Sequence, residues 1–182
     1  MNFFLIANND SITDKTINDL PINEEDVIIL YNRQMPLKWK KIKEHKNKYL
    51  FLRTKQGGFW GENTLSKNKS LYNKIFLAGT KIIKDEILEN FKNKYKLESL
   101  YRYVENEDDI EKWINFPNKK SPQTGLISYL FVKNKYDYNK IYLIGFTNEY
   151  KSGLWSRHSK EIEQYFFKND IFENKNIIKL DY

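Results

Sequence analysis

The sequence predicts an α/β protein: a single Rossmann-like domain over residues 1–182, with a mostly parallel sheet and helices on both faces. Two observations support this fold class. Short, unbroken apolar runs recur along the chain, as is typical of strands buried on both faces. Polar stretches of helical length separate these runs, and no repeat, low-complexity tract or linker interrupts the alternation. We therefore expect one domain.

Six apolar runs predict strands, because turn residues or polar stretches bound each of them. They are residues 3–7, 27–31, 49–52, 75–78, 141–144 and 177–180. The tetrapeptide Asn8-Asn9-Asp10-Ser11 follows the first run and is typical of turns and helix starts. Asn32 ends the second run, and Gly145 ends the fifth.

The segments between strands predict helices. Residues 82–97 form an amphipathic pattern whose apolar members share one helical face: Ile83, Ile87, Leu88 and Phe91. An acidic stretch predicts a short helix at residues 107–113. Two further segments, residues 126–133 and 159–168, predict a crossover helix and a final helix.

Composition excludes several kinds of site. The chain has no Cys and only two His, so disulfides, iron–sulfur clusters, cysteine nucleophiles and Cys-based zinc sites are impossible. We predict no metal site and no cofactor. The glycines never take the G-x-G-x-x-G spacing, and no P-loop, G-x-S-x-G or D-x-D motif occurs.

The net charge of +7 is local. The tract Arg33–Lys55 holds nine basic residues and one acid, Glu44, so this tract accounts for the whole excess. It predicts contact with an anionic partner or with an anionic membrane surface. The alternative is a solvated face. His45, inside the tract, is expected to be exposed and inert.

The first residues lack the basic region of a signal peptide, and no apolar run is long enough to cross a bilayer. We expect a cytoplasmic protein, or one peripheral on the inner membrane face.

Ligands bind beyond the carboxyl ends of strands in open α/β sheets. This rule selects the polar residues that follow the predicted strands. They are Asn8, Asn9 and Ser11 after the first, Asn32 after the second, Arg53 after the third, and residues 145–150 after the fifth.

Three segments suggest a family. They are the turn at residues 8–11, the segment Ser121-Pro122-Gln123-Thr124-Gly125 before a helix, and Tyr142 to Phe146 followed by His158 and Glu163. Their order and spacing resemble the CMP-sialic-acid-dependent sialyltransferases, both the bacterial lipooligosaccharide kind and the animal kind. The resemblance implies that fold variant and an inverting transfer to a bacterial surface glycan.

The resemblance also implies site residues. Asn8, Asn9, Ser11 and Asn32 match positions that contact the cytidine nucleotide, and Gln123, Thr124 and Gly125 match the small motif beside it. Tyr150 matches tyrosines that stabilise the departing phosphate. His158 would be the base that deprotonates the acceptor hydroxyl, with Glu163 orienting its loop or helix.

Elementary chemistry is compatible with these roles. The start of a helix offers free N–H groups to a phosphate, and amides pair with a pyrimidine edge or ribose hydroxyls. A helix beginning at Ser159 would keep the imidazole of His158 neutral. Ordinary alternatives exist: a turn for Asn8 and Asn9, an N-cap for Thr124, and a surface position for His158.

The chain departs from the family in the residues that would cover and bind the donor sugar. The segment 147–157 is shorter than the family's lid, and Ser121 stands where the family has an Arg that handles the donor carboxylate. Lys119 or Lys120 would substitute, or Arg53 would meet the carboxylate bidentately. CMP-Kdo is therefore an alternative donor to CMP-sialic acid.

Two other functions remain open. One is an accessory protein that binds the nucleotide or a glycan without catalysis. The other, less favoured, is a basic nucleic-acid-binding domain; the aromatics lie in strand-like runs instead of a basic–aromatic stacking pattern, and no nucleic-acid partner is predicted.

Overall fold

The computed structural model describes residues 1–55, 58–79, 85–97, 100–104, 123–146 and 173–180, with residues 165, 169 and 171. The strands are β1 (Asn2–Ile6), β2 (Val27–Tyr31), β3 (Lys48–Lys55), β4 (Gly58–Phe59), β5 (Lys74–Gly79), β6 (Tyr101–Val104), β7 (Lys140–Ile144) and β8 (Ile177–Leu180). The helices are α1 (Asp14–Asp19), α2 (Lys40–Glu44), α3 (Glu62–Asn68), α4 (Asp85–Tyr95) and α5 (Thr124–Lys135), with 3-10 turns at Met35–Lys38 and Lys69–Leu71.

The strands form one sheet in the order β6-β5-β3-β2-β1-β7-β8, and the two-residue β4 pairs with β3. All pairings along this order are parallel, and β4 is antiparallel to β3. The chain steps outward from β1 to β6 and then returns to place β7 on the other side of β1. The predicted α/β class, with a mostly parallel sheet, is confirmed.

Helices cover both faces, which explains why the strands are apolar throughout. One face buries Phe4, Ile28 and Leu50 beneath apolar side chains of α1, α2, α3 and α4. The other face buries Phe3 and Ile29 beneath α5. Right-handed crossovers place their helices on one face of the sheet while the chain moves from β1 toward β6, and on the other face once the chain moves back to β7. α5 therefore lies on the face opposite the first four helices.

Several predictions need correction. Ile87 and Phe91 were expected on the same buried face of α4, but Phe91 is buried and Ile87 is 45% exposed. The face that packs on the sheet is the one formed by Leu88, Phe91 and Tyr95. α3, β4 and β6 are elements that the apolar pattern does not predict. The predicted helix at 107–113 lies outside the described residues, as does 159–168 apart from Tyr165. The single-domain assignment stays a prediction.

The side chain of Glu62, at the start of α3, joins three elements. Its carboxylate accepts hydrogen bonds from the Phe59 amide at 2.6 Å, the Tyr95 hydroxyl at 2.8 Å and the Lys94 ammonium at 3.1 Å. It thereby ties β4 and α4 to α3. Within the described residues, no helix is long and apolar enough to span a membrane.

Candidate functional site

The chain reverses its direction across the sheet at β1, whose neighbours are β2 and β7. In open parallel sheets, the loops beyond the carboxyl ends of such strands separate and leave a crevice. The loops concerned here begin at Ala7, at Asn32 and at Gly145. The start of α5 lies at this same edge, since Gly125 abuts the ring of Phe146 just after β7. We call this place the switch-point crevice.

Asn9 connects two sides of the crevice. Its Nδ2 donates to the Gly145 carbonyl at 3.0 Å, and its Oδ1 accepts from the amide and hydroxyl of Ser11 at 3.0 and 2.8 Å. Gly145 has φ +75°, and a Cβ there would stand 2.7 Å from the Ile12 side chain. Only glycine suits this backbone and this close approach. Asn9 and Ser11 therefore brace the loop, and the second N–H of the Asn9 amide makes no hydrogen bond to any described residue.

Asn8 ties the same loop to the end of β2. Its Nδ2 donates to the Tyr31 carbonyl at 3.1 Å, and its Oδ1 accepts from the Met35 amide at 3.0 Å. The N-cap of α1 is Thr13, whose hydroxyl accepts from the Thr16 amide at 3.2 Å. Asn8 and Asn9 are thus turn residues and not helix caps, and they build the crevice wall.

Asn32 lies at the carboxyl end of β2 with φ +23°. Its Oδ1 accepts from the Arg53 amide at 2.8 Å, which leaves Nδ2 as the donor of this side chain. No acceptor among the described residues lies within hydrogen-bond distance of that Nδ2. Of the predicted nucleotide-contacting side-chain amides of Asn8, Asn9 and Asn32, that of Asn32 is the one whose NH₂ group makes no hydrogen bond within the described residues.

Arg53 lies inside β3, paired in register with Ala78, and not after the strand as predicted. β3 extends to Lys55 because the antiparallel β4 pairs with its last residues. The side chain of Arg53 is only 8% exposed. Its backbone amide contacts Asn32 at the carboxyl edge, and a guanidinium is a group that can bind a carboxylate bidentately.

The start of α5 is held against β2 by a chain of hydroxyls. The Ser128 hydroxyl donates to the Gly125 carbonyl at 2.8 Å, so the Tyr31 hydroxyl, 2.7 Å away, donates to Ser128. Burial raises the pKa of Tyr31 well above its usual range, although the hydrogen bond with Ser128 opposes the shift. The tyrosine therefore remains a donor. Sequence reasoning missed this pair, because a Tyr at a strand end and a Ser in a helix carry no local signal.

The residues Gln123, Thr124 and Gly125 lie at the start of α5, as the sequence suggests, but the N-cap is a different residue from the one considered there. Gln123 is the N-cap residue and makes no capping bond with its side chain, while Thr124 is the first helical residue and is nearly buried. The alternative that Thr124 is the N-cap is wrong. The first N–H groups of a helix lack partners within the helix, so they can bind an anion at the crevice.

A glycine beyond the predicted set shapes the crevice. Gly61, which precedes α3, has φ +88°, and a Cβ there would stand 2.0 Å from the backbone oxygen of Asn32. The loop after β4 thus packs directly on the backbone of the residue that ends β2. Sequence alone shows Gly61 only as the glycine after Trp60.

Six predicted site residues lie outside the described residues: Lys119, Lys120, Ser121, Tyr150, His158 and Glu163. Their roles stay predictions. Within the described part of the chain, no group of three His, Asp or Glu side chains could hold a metal ion.

The tract Arg33–Lys55 does not lie wholly beside the crevice. It begins after β2 at the carboxyl edge, but Lys48 is the first residue of β3, at the opposite edge. His45 is half-buried, and its Nε2 donates to the Asp26 carbonyl at 2.7 Å, so the expectation of an exposed histidine is wrong.

The chain was compared with known proteins. No protein-family model matches it, and neither a curated protein nor a solved structure does.

Proposed function

We propose that the protein is a metal-independent, inverting glycosyltransferase that moves an acidic sugar from a CMP donor to a bacterial surface glycan. One observation carries the proposal. Segments far apart in the sequence meet at the switch-point crevice, where Asn9 bonds to Gly145 and Gly125 packs on Phe146. These are the segments whose order resembles the sialyltransferases.

The crevice offers suitable groups for a CMP-linked keto-acid sugar. The first N–H groups of α5, which have no partner within the helix, suit the phosphate, and the positive end of the helix dipole adds to the attraction. The Nδ2 of Asn32 suits an acceptor atom of the cytosine or ribose. The guanidinium of Arg53 suits the sugar carboxylate, as either CMP-sialic acid or CMP-Kdo would supply.

In the proposed reaction, His158 takes the proton from the acceptor hydroxyl while its oxygen attacks the anomeric carbon. The new carbon–oxygen bond forms as the bond to the phosphate oxygen breaks. CMP leaves with the electron pair, and Tyr150 donates a hydrogen bond to its phosphate. Glu163 positions His158. The acceptor is a glycan or a lipid-linked glycan, and we place the reaction in the cytoplasm or at the inner membrane face.

The first test is calorimetry with CMP, UMP and AMP. We expect CMP to bind more tightly than the other two. Asn32→Asp keeps the oxygen that accepts from Arg53 but removes the Nδ2 donor and adds a negative charge, so CMP affinity should fall about tenfold or more. Asn139→Asp makes the same change at an exposed position just before β7 and should leave CMP affinity unaltered. Equal affinity for the three nucleotides would refute the proposal.

The second test separates an enzyme from an accessory protein. Hydrolysis of a CMP-sugar is measured for wild type, His158→Ala and the control His45→Ala, with thermal melts to verify folding. The enzyme loses turnover only in His158→Ala. CMP binding without turnover in any variant favours the accessory protein, and tight, salt-sensitive DNA or RNA binding without CMP binding favours the nucleic-acid domain.

A further inference from the structure

A second candidate binding site lies within the basic tract. A pocket of about 720 Å³ opens between α2, the residues leading into β3, and the 3-10 turn Lys69–Leu71. Its wall contains five lysines and one carboxylate, that of Glu44. The lysines are Lys38, Lys40, Lys43, Lys46 and Lys48. We call this place the lysine pocket.

The positive charge of the pocket is largely uncompensated. Glu44 lies 3.9 Å from Lys40 in an exposed pair, which contributes little. In the described part of the chain, no carboxylate lies within 4 Å of the ammonium groups of Lys38, Lys43 or Lys46. With His45 neutral the lining carries +4. Lysines gathered around a concavity repel each other, and a bound anion would relieve this repulsion.

Lys48 gives the pocket a fixed wall. Its side chain is 2% exposed, and its ammonium donates to the Lys43 carbonyl at 2.9 Å and also to the His45 carbonyl. It thus binds the carbonyls at the end of α2, which have no partners within the helix. Burial lowers the pKa of this ammonium. The neighbouring lysines therefore project from a backbone that is already held in place.

The lysine pocket is separate from the switch-point crevice. Lys48 is the first residue of β3, and Ser70 and Leu71 precede β5, so this part of the lining belongs to the amino-terminal edge of the sheet. Asn8, Asn32 and the start of α5 lie at the carboxyl edge. The two sites share no residue, and the inference below does not depend on the proposed function.

We propose that the lysine pocket binds a ligand carrying two or more phosphate groups. A single carboxylate would compensate one charge of a lining that carries +4, whereas a diphosphate or triphosphate compensates several. Lysine ammonium groups are compact charges that bind phosphate oxygens without fixed geometry. The volume is that of a small-molecule site, and five of the nine lining residues are lysines, which favours an anionic ligand.

The test uses inorganic tripolyphosphate as the probe and the full chain in about 50 mM salt. The variant K43E/K46E reverses two exposed charges of the pocket, and the control K135E/K140E reverses two exposed lysines elsewhere. We expect the pocket variant to lose tenfold or more in affinity, and the control to stay within about twofold of wild type. A milder variant, K43Q/K46Q, serves if K43E/K46E fails to fold, as judged by circular dichroism.

Vesicles distinguish the source of the phosphates. Wild type and both variants are mixed with phosphatidylglycerol vesicles and with uncharged phosphatidylcholine vesicles. Tripolyphosphate that displaces the protein from anionic vesicles indicates a lipid headgroup ligand, and tripolyphosphate binding without vesicle binding indicates a soluble one. Either result supports the pocket if K43E/K46E abolishes it. No tripolyphosphate binding, or equal losses in the pocket variant and the control, would overturn the proposal.

Discussion

Replacing Gly61 with Ala tests how strictly the crevice backbone is determined. A Cβ at this position would lie 2.0 Å from the oxygen, 2.6 Å from the carbonyl carbon and 2.9 Å from the Cα of Asn32. All three atoms belong to the backbone, so no change of side-chain rotamer relieves the overlap. Gly61 also has φ +88°, a conformation that costs an L-residue about 1–2 kcal/mol.

The expected loss follows from these two contributions. Overpacking in a rigid place costs about 1–3 kcal/mol and is added to the conformational cost. Gly61→Ala should therefore lower the free energy of unfolding by about 2–5 kcal/mol. Because the displaced atoms belong to Asn32, CMP binding should weaken even in the molecules that remain folded.

Gly125→Ala is the matched comparison. Its Cβ would lie 2.3 Å from Phe146, but the obstacle is the far edge of a ring that is only half-buried. An overlap cost of about 1–3 kcal/mol is offset by about 1 kcal/mol from replacing glycine inside a helix. The net loss should be about 0–2 kcal/mol, and adding Phe146→Leu should recover part of it.

Urea unfolding, followed by circular dichroism, measures Gly61→Ala, Gly125→Ala, Phe146→Leu and the double variant Gly125→Ala/Phe146→Leu. The reasoning fails if Gly61→Ala costs under 1 kcal/mol, or if Gly125→Ala costs as much as Gly61→Ala. It fails equally if the unfolding free energies of Gly125→Ala and Phe146→Leu simply add, since the two positions then do not touch.

Two further predictions concern buried polar groups. Burial alone would raise the pKa of Glu62, but hydrogen bonds from a backbone amide, a tyrosine and a lysine outweigh it and hold the pKa below its ordinary value. The ionised carboxylate therefore stabilises the fold above the unfolded pKa of about 4.3, and this contribution is lost as pH falls through the folded value. Glu62→Gln should lower the free energy of unfolding by about 1–2 kcal/mol at pH 7 and by much less at pH 3. Urea titration at each pH measures the two losses. Equal losses at pH 7 and pH 3 would contradict this prediction. Ser128→Ala should cost about 1–3 kcal/mol because it leaves the Tyr31 hydroxyl buried without its acceptor, and adding Tyr31→Phe should remove part of that cost in a double-mutant cycle. Additive losses would show that the two hydroxyls do not interact.

The strands were predictable wherever both of their faces are covered. β1, β2 and β7 appear as unbroken apolar runs because every residue between their ends meets a helix or the core. β6 escaped prediction because Tyr101 begins it at 41% exposure and Arg102 interrupts its apolar pattern. α3 escaped because it buries a single residue, Leu65, beneath an otherwise polar helix.

The crevice was predictable as a place but not as a set of contacts. Strand order and the carboxyl-end rule point to Asn8, Asn9 and Asn32 from sequence alone. The structure shows that the side-chain amide of Asn9 donates a hydrogen bond to the carbonyl of a glycine 136 positions away, and that the amide of Asn8 donates to the last carbonyl of β2. The sequence contains no local sign of such partners. Only the tertiary structure therefore distinguishes Asn32, whose NH₂ group makes no hydrogen bond within the described residues, from Asn8 and Asn9, whose NH₂ groups each donate one.

The sequence by itself determined the α/β class, most strands and the position of the basic tract. Burial of a strand on two faces requires an unbroken apolar run, and a local charge excess requires neighbouring basic residues, so short stretches of sequence show both. The tertiary structure decided which residues share the switch-point crevice and that the tract forms the lysine pocket at the amino-terminal edge. Both depend on strand order and on where the chain crosses back over the sheet. Those are properties of long-range pairing, which no window of neighbouring residues contains.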